Sequence, residues 1–169
     1  YRRDYVTMPF AEHQRIYSTI ERVYPDQSCF DRQAVASFFE RLLAHGVAPS
    51  VLELGGWKGE LAHVVLEQFR DIHLWHNVEI CREAVEKTVC HDIWGRYTCN
   101  TLSDFFWREK PNWAQMYNTL ILSHVVEHMR LEDFAGTIAH CAAKGLDYLY
   151  LDIPHITDNS HITWRCCTS

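Results

Sequence analysis

The chain has 169 residues, of which 47% are apolar and 13% aromatic, enough for one domain with a buried core. Its formal charge of −6 argues against extended binding to a phosphate backbone, and no run of 18 apolar residues predicts a membrane span. The seven cysteines lack scaffold spacing and indicate reduced thiols, so we expect a soluble, cytoplasmic protein.

The first part of the chain is helical in pattern. Residues 1–46 predict a helical extension, whose aromatic side chains either cover a site or pack the extension onto the rest of the fold. Ser28 or Asp31 can cap its last helix, and Gly46 can end it. The apolar stripe of this helix is Ala34, Val35, Phe38, Phe39, Leu42 and Leu43.

From residue 47 onward, predicted strands alternate with predicted helices. The strands are 51–54, 72–80, 97–99, 119–122 and 148–153, and the helices are 60–69, a short one between Ala84 and Val89, and 131–143. The stripe of the last helix is Leu131, Phe134, Ala135, Ile138, Ala139 and Ala142. This alternation predicts a parallel sheet flanked by helices, formed by residues 47–169 as one domain.

A glycine-rich turn follows the first strand, in the order Glu53-Leu54-Gly55-Gly56-Trp57-Lys58-Gly59. Glycines admit a ligand close to the backbone, and the helix that follows offers unpaired N–H groups, so this turn predicts a cradle for a nucleotide cofactor. Trp57 stands where a dinucleotide fingerprint has a second loop glycine. The Glu53 carboxylate would repel a pyrophosphate and attract a cationic amino or sulfonium group, which favours a cofactor without a diphosphate.

Glu79 closes the predicted second strand, 26 residues after Glu53. A carboxylate at this place can accept hydrogen bonds from ribose hydroxyls and would repel a 2′-phosphate, which disfavours NADP. The ends of the other strands are polar as well, although strands covered on both sides should be apolar throughout. We therefore expect the ligand site at this edge of the sheet.

His124-Val125-Val126-Glu127-His128 matches HxxEH, the zinc-ligand pattern of inverzincin peptidases. That chemistry needs both histidines on one face of a helix, with the glutamate as base. Here the pentad leaves a predicted strand, and helical periodicity resumes only near Leu131. We therefore disfavour a zinc site and assign no metal ligands.

Four segments resemble motifs of class I S-adenosylmethionine (SAM)-dependent methyltransferases. Residues 51–59 look like motif I, 78–85 like the second-strand acid and its helix, 119–129 like the fourth-strand segment, and 149–154 like the fifth strand. They cover roughly residues 50–155 in the right order and spacing. The resemblance implies a Rossmann-like fold with a mostly parallel sheet flanked by helices, SAM as cofactor, and S-adenosylhomocysteine (SAH) as its product.

The resemblance also implies which residues of the first two motifs bind the cofactor. Glu53 and the backbone of the loop would hold the methionine moiety. Glu79 would bind the ribose hydroxyls, and Ile80 would lie against the adenine. The loop residues in this set are Gly55, Gly56, Trp57 and Gly59.

Later segments supply the rest of the implied site. Thr101 and Leu102 would border the adenine, and Asp104 would bind its exocyclic amine. Ser123 and His124 would lie near the transferred methyl group. His124 is the candidate catalytic residue, because an imidazole with a pKa near neutral can take a proton from an acceptor hydroxyl or amine.

Three features depart from the family's pattern: two single positions and the length of the segment after the fifth strand. Trp57 replaces the middle glycine of motif I, and Asn118 stands where an aspartate commonly starts the fourth strand. The 15 residues after Pro154 are too few for the helix and antiparallel hairpin that complete this fold. We therefore expect an incomplete C-terminal part: either the chain is cut, or residues 161–166 are all that remains of the next element.

We expect a SAM-dependent methyltransferase that acts on a small molecule and not at a membrane, and we disfavour nucleic acid as a partner. One alternative is an NAD-binding oxidoreductase domain, which the strand, glycine loop and Glu79 would also suit. Another is a non-catalytic protein that keeps the methyltransferase fold. The sequence leaves open which atom is methylated, whether the acceptor is instead a protein or a tRNA, and the oligomeric state.

Overall fold

The computed structural model describes residues 30–72, 74–90, 95–98, 116–129, 131–154 and 161–167, together with helical pieces at 11–12, 15–16 and 19. Its helices are α1 (Arg32–Ala44), α2 (Glu60–Gln68), α3 (Arg82–Glu86) and α4 (Leu131–Ala143), with a 3₁₀ turn at Val126–His128. Its strands are β1 (Ser50–Leu54), β2 (Leu74–Glu79), β3 (Gly95–Thr98), β4 (Thr119–Ser123), β5 (Tyr148–Pro154) and β6 (His161–Cys167). The division into a helical extension and a second domain stays a prediction.

The strands form one six-stranded sheet in the order β3-β2-β1-β4-β5-β6. The first five strands run parallel to one another, and β6 pairs antiparallel with β5, from Tyr148 opposite Cys167 to Pro154 opposite His161. The predicted mostly parallel, Rossmann-like sheet flanked by helices is therefore confirmed. Residues 161–167, expected as the remainder of a further element, form a full antiparallel strand.

The boundaries of two predicted elements move for identifiable reasons. The second strand begins at Leu74 rather than 72, because the N–H of Ile72 still donates to the carbonyl of Phe69 in the turn after α2. The helix α3 ends at Glu86, well before Val89. Val89 donates its N–H to the carbonyl of Lys58 at 2.9 Å, so this residue belongs to the support of the glycine-rich loop.

Helix α1 begins and ends as its sequence predicts. The Oδ1 atom of Asp31 accepts the N–H groups of Gln33 at 2.9 Å and Ala34 at 3.0 Å, so Asp31 is the cap, and Ser28 lies outside the described residues. Gly46, with φ of +74°, closes the other end in the left-handed conformation that glycine adopts without strain.

The sheet has a separate apolar core on each face. Helices α1 and α2 cover the first face, where the buried side chains include Val35, Phe38, Phe39, Val65, Trp75 and Tyr150. Helix α4 covers the second face, where Leu52, Leu54, Leu120, Leu122 and Cys141 are buried.

No helix in the described part of the chain is long and apolar enough to span a membrane. Three of the cysteines, Cys81, Cys90 and Cys141, are buried thiols outside any disulfide.

The stripe predicted for the last helix was wrong by about one residue. Thr137 and Cys141 are the buried positions of α4, with Phe134 and Ile138 beside them, whereas Leu131 is 75% exposed. The other exposed members of the predicted stripe are Ala135, Ala139 and Ala142. Alanine is only weakly hydrophobic, so the alanines did not distinguish the buried side of the helix from the exposed side. The apolar pattern alone therefore could not predict which side faces the core.

Asn118, where the resemblance led us to expect an aspartate, joins two strands at the amino end of the sheet. Its Oδ1 accepts the N–H of Ser50 at 2.9 Å, and its Nδ2 donates to the carbonyl of Ala48 at 3.0 Å. An amide can do both, whereas a carboxylate can only accept. Asn118 therefore stabilises the start of β1 and β4. This end of the sheet is opposite to the strand ends that carry the predicted site.

Candidate functional site

Polar side chains, most of them buried, gather on one face of the sheet, at the carboxyl ends of four adjacent strands. The register places Glu53 beside Asn77, and Ser123 beside Asp152. Partners in a parallel pair share a face, and side chains alternate along each strand, so all of these groups point the same way. They are Glu79 and Asn77 on β2, Glu53 on β1, Ser123 on β4 and Asp152 on β5.

Farther from that edge the opposite face holds His76, buried against the hydroxyl of Tyr117, but at the edge itself this face is apolar. It ends in Leu54, Val78, Leu122 and Leu151, which pack in or against the second core. Strand ends as such therefore do not explain the polar groups. Burying Glu53 and Asn77, each 2% exposed, and Asp152, fully buried, costs free energy unless each is compensated. Each of these three groups has a hydrogen-bond partner, Trp75, Gly56 and Ser123 respectively, and the polar groups make this face the candidate ligand site.

Two glycines shape the loop between β1 and α2. Gly55 has φ of +73° and donates its N–H to the carbonyl of Val78 at 2.7 Å, and Gly59 has φ of +84° and donates to the carbonyl of Gly56 at 2.8 Å. A Cβ at Gly55 would lie 2.2 Å from Cγ2 of Val125. The loop therefore packs directly on the segment that follows β4.

Trp57, at a position where the family pattern has a glycine, adopts a left-handed conformation that glycine takes without strain. Its φ is +50°, a region that costs a non-glycine residue about 1–2 kcal/mol. Its N–H donates to Oε2 of Glu79 at 2.8 Å. The carbonyl of Lys58 accepts from the N–H of Val89 at 2.9 Å and from Oγ1 of Thr88 at 3.0 Å. The loop is thus fastened on both sides of Trp57, which holds this residue in an unfavourable backbone region.

Glu79 connects the loop to the next helix. Its Oε1 accepts the N–H of Cys81 at 2.8 Å, while its Oε2 accepts that of Trp57. Burial raises the pKa of this carboxyl, and the backbone N–H groups of Cys81, Trp57 and Ile80 oppose that rise. Each carboxylate oxygen has two lone pairs, so an oxygen that accepts one backbone N–H can still accept a hydroxyl.

Glu53 is held apart from solvent by the first core. Its Oε2 accepts the indole N–H of Trp75 at 2.9 Å. Burial raises the pKa of its carboxyl to about 8, the negative charges of Glu60 and Glu79 raise it further, and the bond from Trp75 acts in the opposite direction. Glu53 is therefore mostly protonated at neutral pH, and a cation brought beside it would favour its ionised form.

The end of β4 carries the second strained residue. His124 has φ of +54° and donates its N–H to the carbonyl of Asp152 at 2.9 Å. Its Nδ1 lies 3.5 Å from Oε1 of Glu127, and Oγ of Ser123 donates to Oδ2 of Asp152 at 3.4 Å. A three-residue 3₁₀ turn follows rather than an α-helix, so the HxxEH segment lacks the helical face that a zinc peptidase site requires.

Most of the predicted site residues lie at this one edge. The β1–α2 loop, Glu53, Glu79 with Ile80 after it, Ser123 and His124 all occupy strand ends or the turns that follow them. The predicted adenine contacts Thr101, Leu102 and Asp104 lie outside the described residues. Their roles in binding, like those of the other site residues, stay predictions.

Sequence reasoning missed three residues of the site, Asn77, Trp75 and Asp152, and it considered Glu127 only as part of the HxxEH pattern. Asn77 and Asp152 carried a usable signal, because each lies an even number of positions from another polar residue or from the strand end on the same face. Trp75 carried none, since only the pairing of the strands brings it to Glu53. Glu127 follows His124 by three positions, a spacing that a 3₁₀ turn brings together.

The fold resembles solved methyltransferase structures. The methyltransferase domain of bacterial CtHen1 superimposes with a TM-score of 0.55 at 13% identity, covering 73% of this chain and 66% of that one. The plantazolicin methyltransferase BpumL, in complex with a monoazolic desmethylPZN analog and SAH, gives 0.60 at 15% identity, covering 85% and 54%. A SAM-dependent methyltransferase from Thiobacillus denitrificans, in complex with SAH, gives 0.53 at 14% identity, covering 82% and 54%.

This chain therefore has the fold of SAM-dependent methyltransferases, as the motif resemblance implied. It spans between about half and two thirds of the length of these structures. No protein-family model and no curated protein sequence matches it.

Replacing Trp57 by glycine and by alanine should reverse the usual order of stability of these two residues. Both changes remove the indole, but only glycine adopts φ of +50° without strain. We expect Trp57→Gly to unfold at a higher urea concentration than Trp57→Ala, by about 1 kcal/mol in the free energy of unfolding. The reverse order, which is normal in helices and strands, would show that the loop does not hold this conformation in solution.

Glu53 should make the protein less stable as the pH rises. Its carboxyl has an ordinary pKa of 4.5 and a folded pKa of about 8, so between these values the folded chain binds more protons than the unfolded chain. The stabilising contribution is complete below the lower value and is lost as the pH approaches the upper one. We expect the free energy of unfolding of Glu53→Gln to fall less steeply between about pH 5 and pH 8 than that of the wild type.

The exposed Glu67 gives the matched control for this measurement, since Glu67→Gln removes the same charge outside the site. Urea titrations at several pH values would compare the three proteins. Glu79 leaves a residual slope in all of them, because burial raises its pKa too. Equal slopes for Glu53→Gln and the wild type would contradict the burial of the ionised form as the source of the pH dependence.

Proposed function

We propose that this protein is a SAM-dependent methyltransferase, with its cofactor bound across the carboxyl ends of β1, β2 and β4. The observation that carries the proposal is the one-sided row of buried polar side chains around a loop with three left-handed residues, Gly55, Trp57 and Gly59. The fold it shares with SAH-bound methyltransferases supports the same choice. The alternative of an NAD-binding domain has no counterpart among the solved structures described above, whereas Trp57 departs from the glycine pattern of both kinds of cofactor loop.

The residues present suit SAM. Gly55 lacks the side chain that would clash with Val125, so the loop can pack closely on the segment after β4 and keep a fixed shape. Glu79 is a buried carboxylate with lone pairs to accept from ribose hydroxyls, as the resemblance implies. Glu53 lies one residue before the loop, where its ionised form would pair with the amino group of a methionine moiety. SAM supplies an activated methyl group on a sulfonium sulfur.

The contribution of the chain is mainly to position the reactants and to exclude water. Methyl transfer from a sulfonium is an in-line displacement in which positive charge disperses, so alignment in a dry pocket lowers the barrier more than a nucleophile on the protein could. His124 is the candidate base for an acceptor that must lose a proton, with Glu127 at 3.5 Å from its Nδ1. Such a proton would go to the imidazole and then to solvent.

A small-molecule acceptor fits this chain best. The formal charge of −6 opposes binding to a nucleic-acid backbone. The plantazolicin methyltransferases with the same fold are seen in complex with desmethylPZN analogs. We extend from them only the class of acceptor, a compound small enough to enter a pocket beside Ser123 and His124.

Calorimetry of the purified chain with SAH and with NADH tests the cofactor. We expect SAH to bind and NADH not to bind, and we expect Glu79→Gln to lower the SAH affinity about tenfold or more, because the amide can no longer accept at both oxygens. Glu67→Gln is the matched control and should bind like the wild type. Binding of NADH without SAH would replace this proposal by the oxidoreductase one. SAH binding with no methyl transfer to any acceptor in a broad screen would favour a non-catalytic role.

Proton release on binding tests the role of Glu53. At neutral pH its carboxyl holds a proton, because burial raises its pKa to about 8, and an ammonium group bound beside it would expel that proton. Titrations in two buffers with different ionisation enthalpies should show release of up to about one proton per SAH bound. Glu53→Gln should abolish the release while keeping the acceptor oxygen for Trp75. Equal release by both proteins would assign the methionine amino group to another partner.

A further inference from the structure

Asn77 is a buried amide that lies directly beneath the glycine-rich loop. It is 2% exposed and stands opposite Glu53 in the sheet, two residues before Glu79 on the same strand. Its Oδ1 accepts the N–H of Gly56 at 3.0 Å. A buried side-chain amide without partners costs free energy, so this bond to the loop is what makes asparagine tolerable at such a place.

The contact between Asn77 and Gly56 is closer than any side chain would allow. A Cβ on Gly56 would lie 2.4 Å from Oδ1, 2.5 Å from Cγ and 2.6 Å from Nδ2 of Asn77. Gly56 does not have a positive φ, unlike Gly55 and Gly59. Position 56 requires glycine because Asn77 fills the space that a side chain would occupy. The backbone conformation at this position does not itself require glycine.

Asn77 and Glu79 bind consecutive N–H groups of the loop. Asn77 accepts from Gly56, and Glu79 accepts from Trp57 at 2.8 Å. The two side chains are neighbours on one face of β2, so this one strand fixes the position of two consecutive peptide groups of the loop relative to the sheet. The loop is thereby held in place before any ligand arrives, which lowers the entropy cost of binding.

We propose that Asn77 is a positioning residue for the cofactor, which it affects through the backbone of Gly56. This inference rests on the proposed function, because it assigns Asn77 to the binding of SAM. It acts without touching SAM: removing its amide frees the loop from its support and weakens binding. Because Asn77 acts through Gly56, the effects of substitutions at positions 56 and 77 on SAM binding depend on each other.

A double-mutant cycle tests this dependence through the SAH dissociation constant, measured by calorimetry at a temperature where circular dichroism shows every variant folded. Gly56→Ala should weaken SAH binding about tenfold or more, because the new methyl group displaces the loop from Asn77. Asn77→Ala removes all three atoms that this methyl group would meet. The double variant should therefore bind at least about fivefold more tightly than the product of the two single effects.

Gly136→Ala on α4 is the matched control, since a Cβ there meets nothing within 4 Å. It should leave the SAH affinity unchanged. Additive effects of the two changes, or an Asn77→Ala variant with a lower melting temperature and wild-type affinity, would overturn the proposal and leave Asn77 a merely structural residue. Failure of the wild-type chain to bind SAH would instead overturn the proposed function, and the positioning role with it.

Hydrogen exchange covers the case in which Asn77→Ala does not fold. The amide of Gly56 in the wild type should exchange slowly, as the hydrogen bond to Asn77 requires. Exchange at the rate of an open loop would overturn the inference without the use of any variant.

Discussion

The hydrogen bond from the N–H of Trp57 to Glu79 is the constraint on which the candidate site depends. It ties the loop after β1 to the end of β2, and it holds a bulky residue at φ of +50°. The same carboxylate accepts from Cys81, so the start of α3 is fixed by the group that fixes the loop. The strain at Trp57 and the desolvation of Glu79 both cost free energy. The same interactions make the loop backbone rigid, which a binding site at this place requires.

The sequence predicted the fold well, because the patterns that specify it are local and repeated. Apolar runs of strand length alternate with helical stripes, and a glycine loop separates the first pair, so the parallel sheet and its ligand edge follow from spacing alone. Asp31 could be recognised as a cap from its place before an apolar stripe. Glu53, Glu79 and His124 could be picked out because charged or titratable groups at strand ends conflict with the apolar pattern.

The rest of the site depends on pairing between strands, which sequence spacing does not reveal. Asn77 matters because β2 lies beside β1 in a register that brings it under Gly56, and Trp75 matters because the same register brings it to Glu53. Position 57 raised the opposite difficulty. A tryptophan there suggested a changed loop, yet the backbone keeps the glycine conformation because bonds on both sides enforce it.

The crowding between Gly56 and Asn77 also restricts how this loop can change over generations. Two glycines of the loop are fixed by their backbone angles, but Gly56 is fixed by a neighbour that is itself replaceable. A larger residue at position 56 becomes acceptable only after position 77 has become smaller, whereas the reverse order passes through a displaced loop. The two substitutions are therefore expected to occur in a fixed order during evolution. A homologue with a side chain at position 56 should have lost the asparagine at position 77 first.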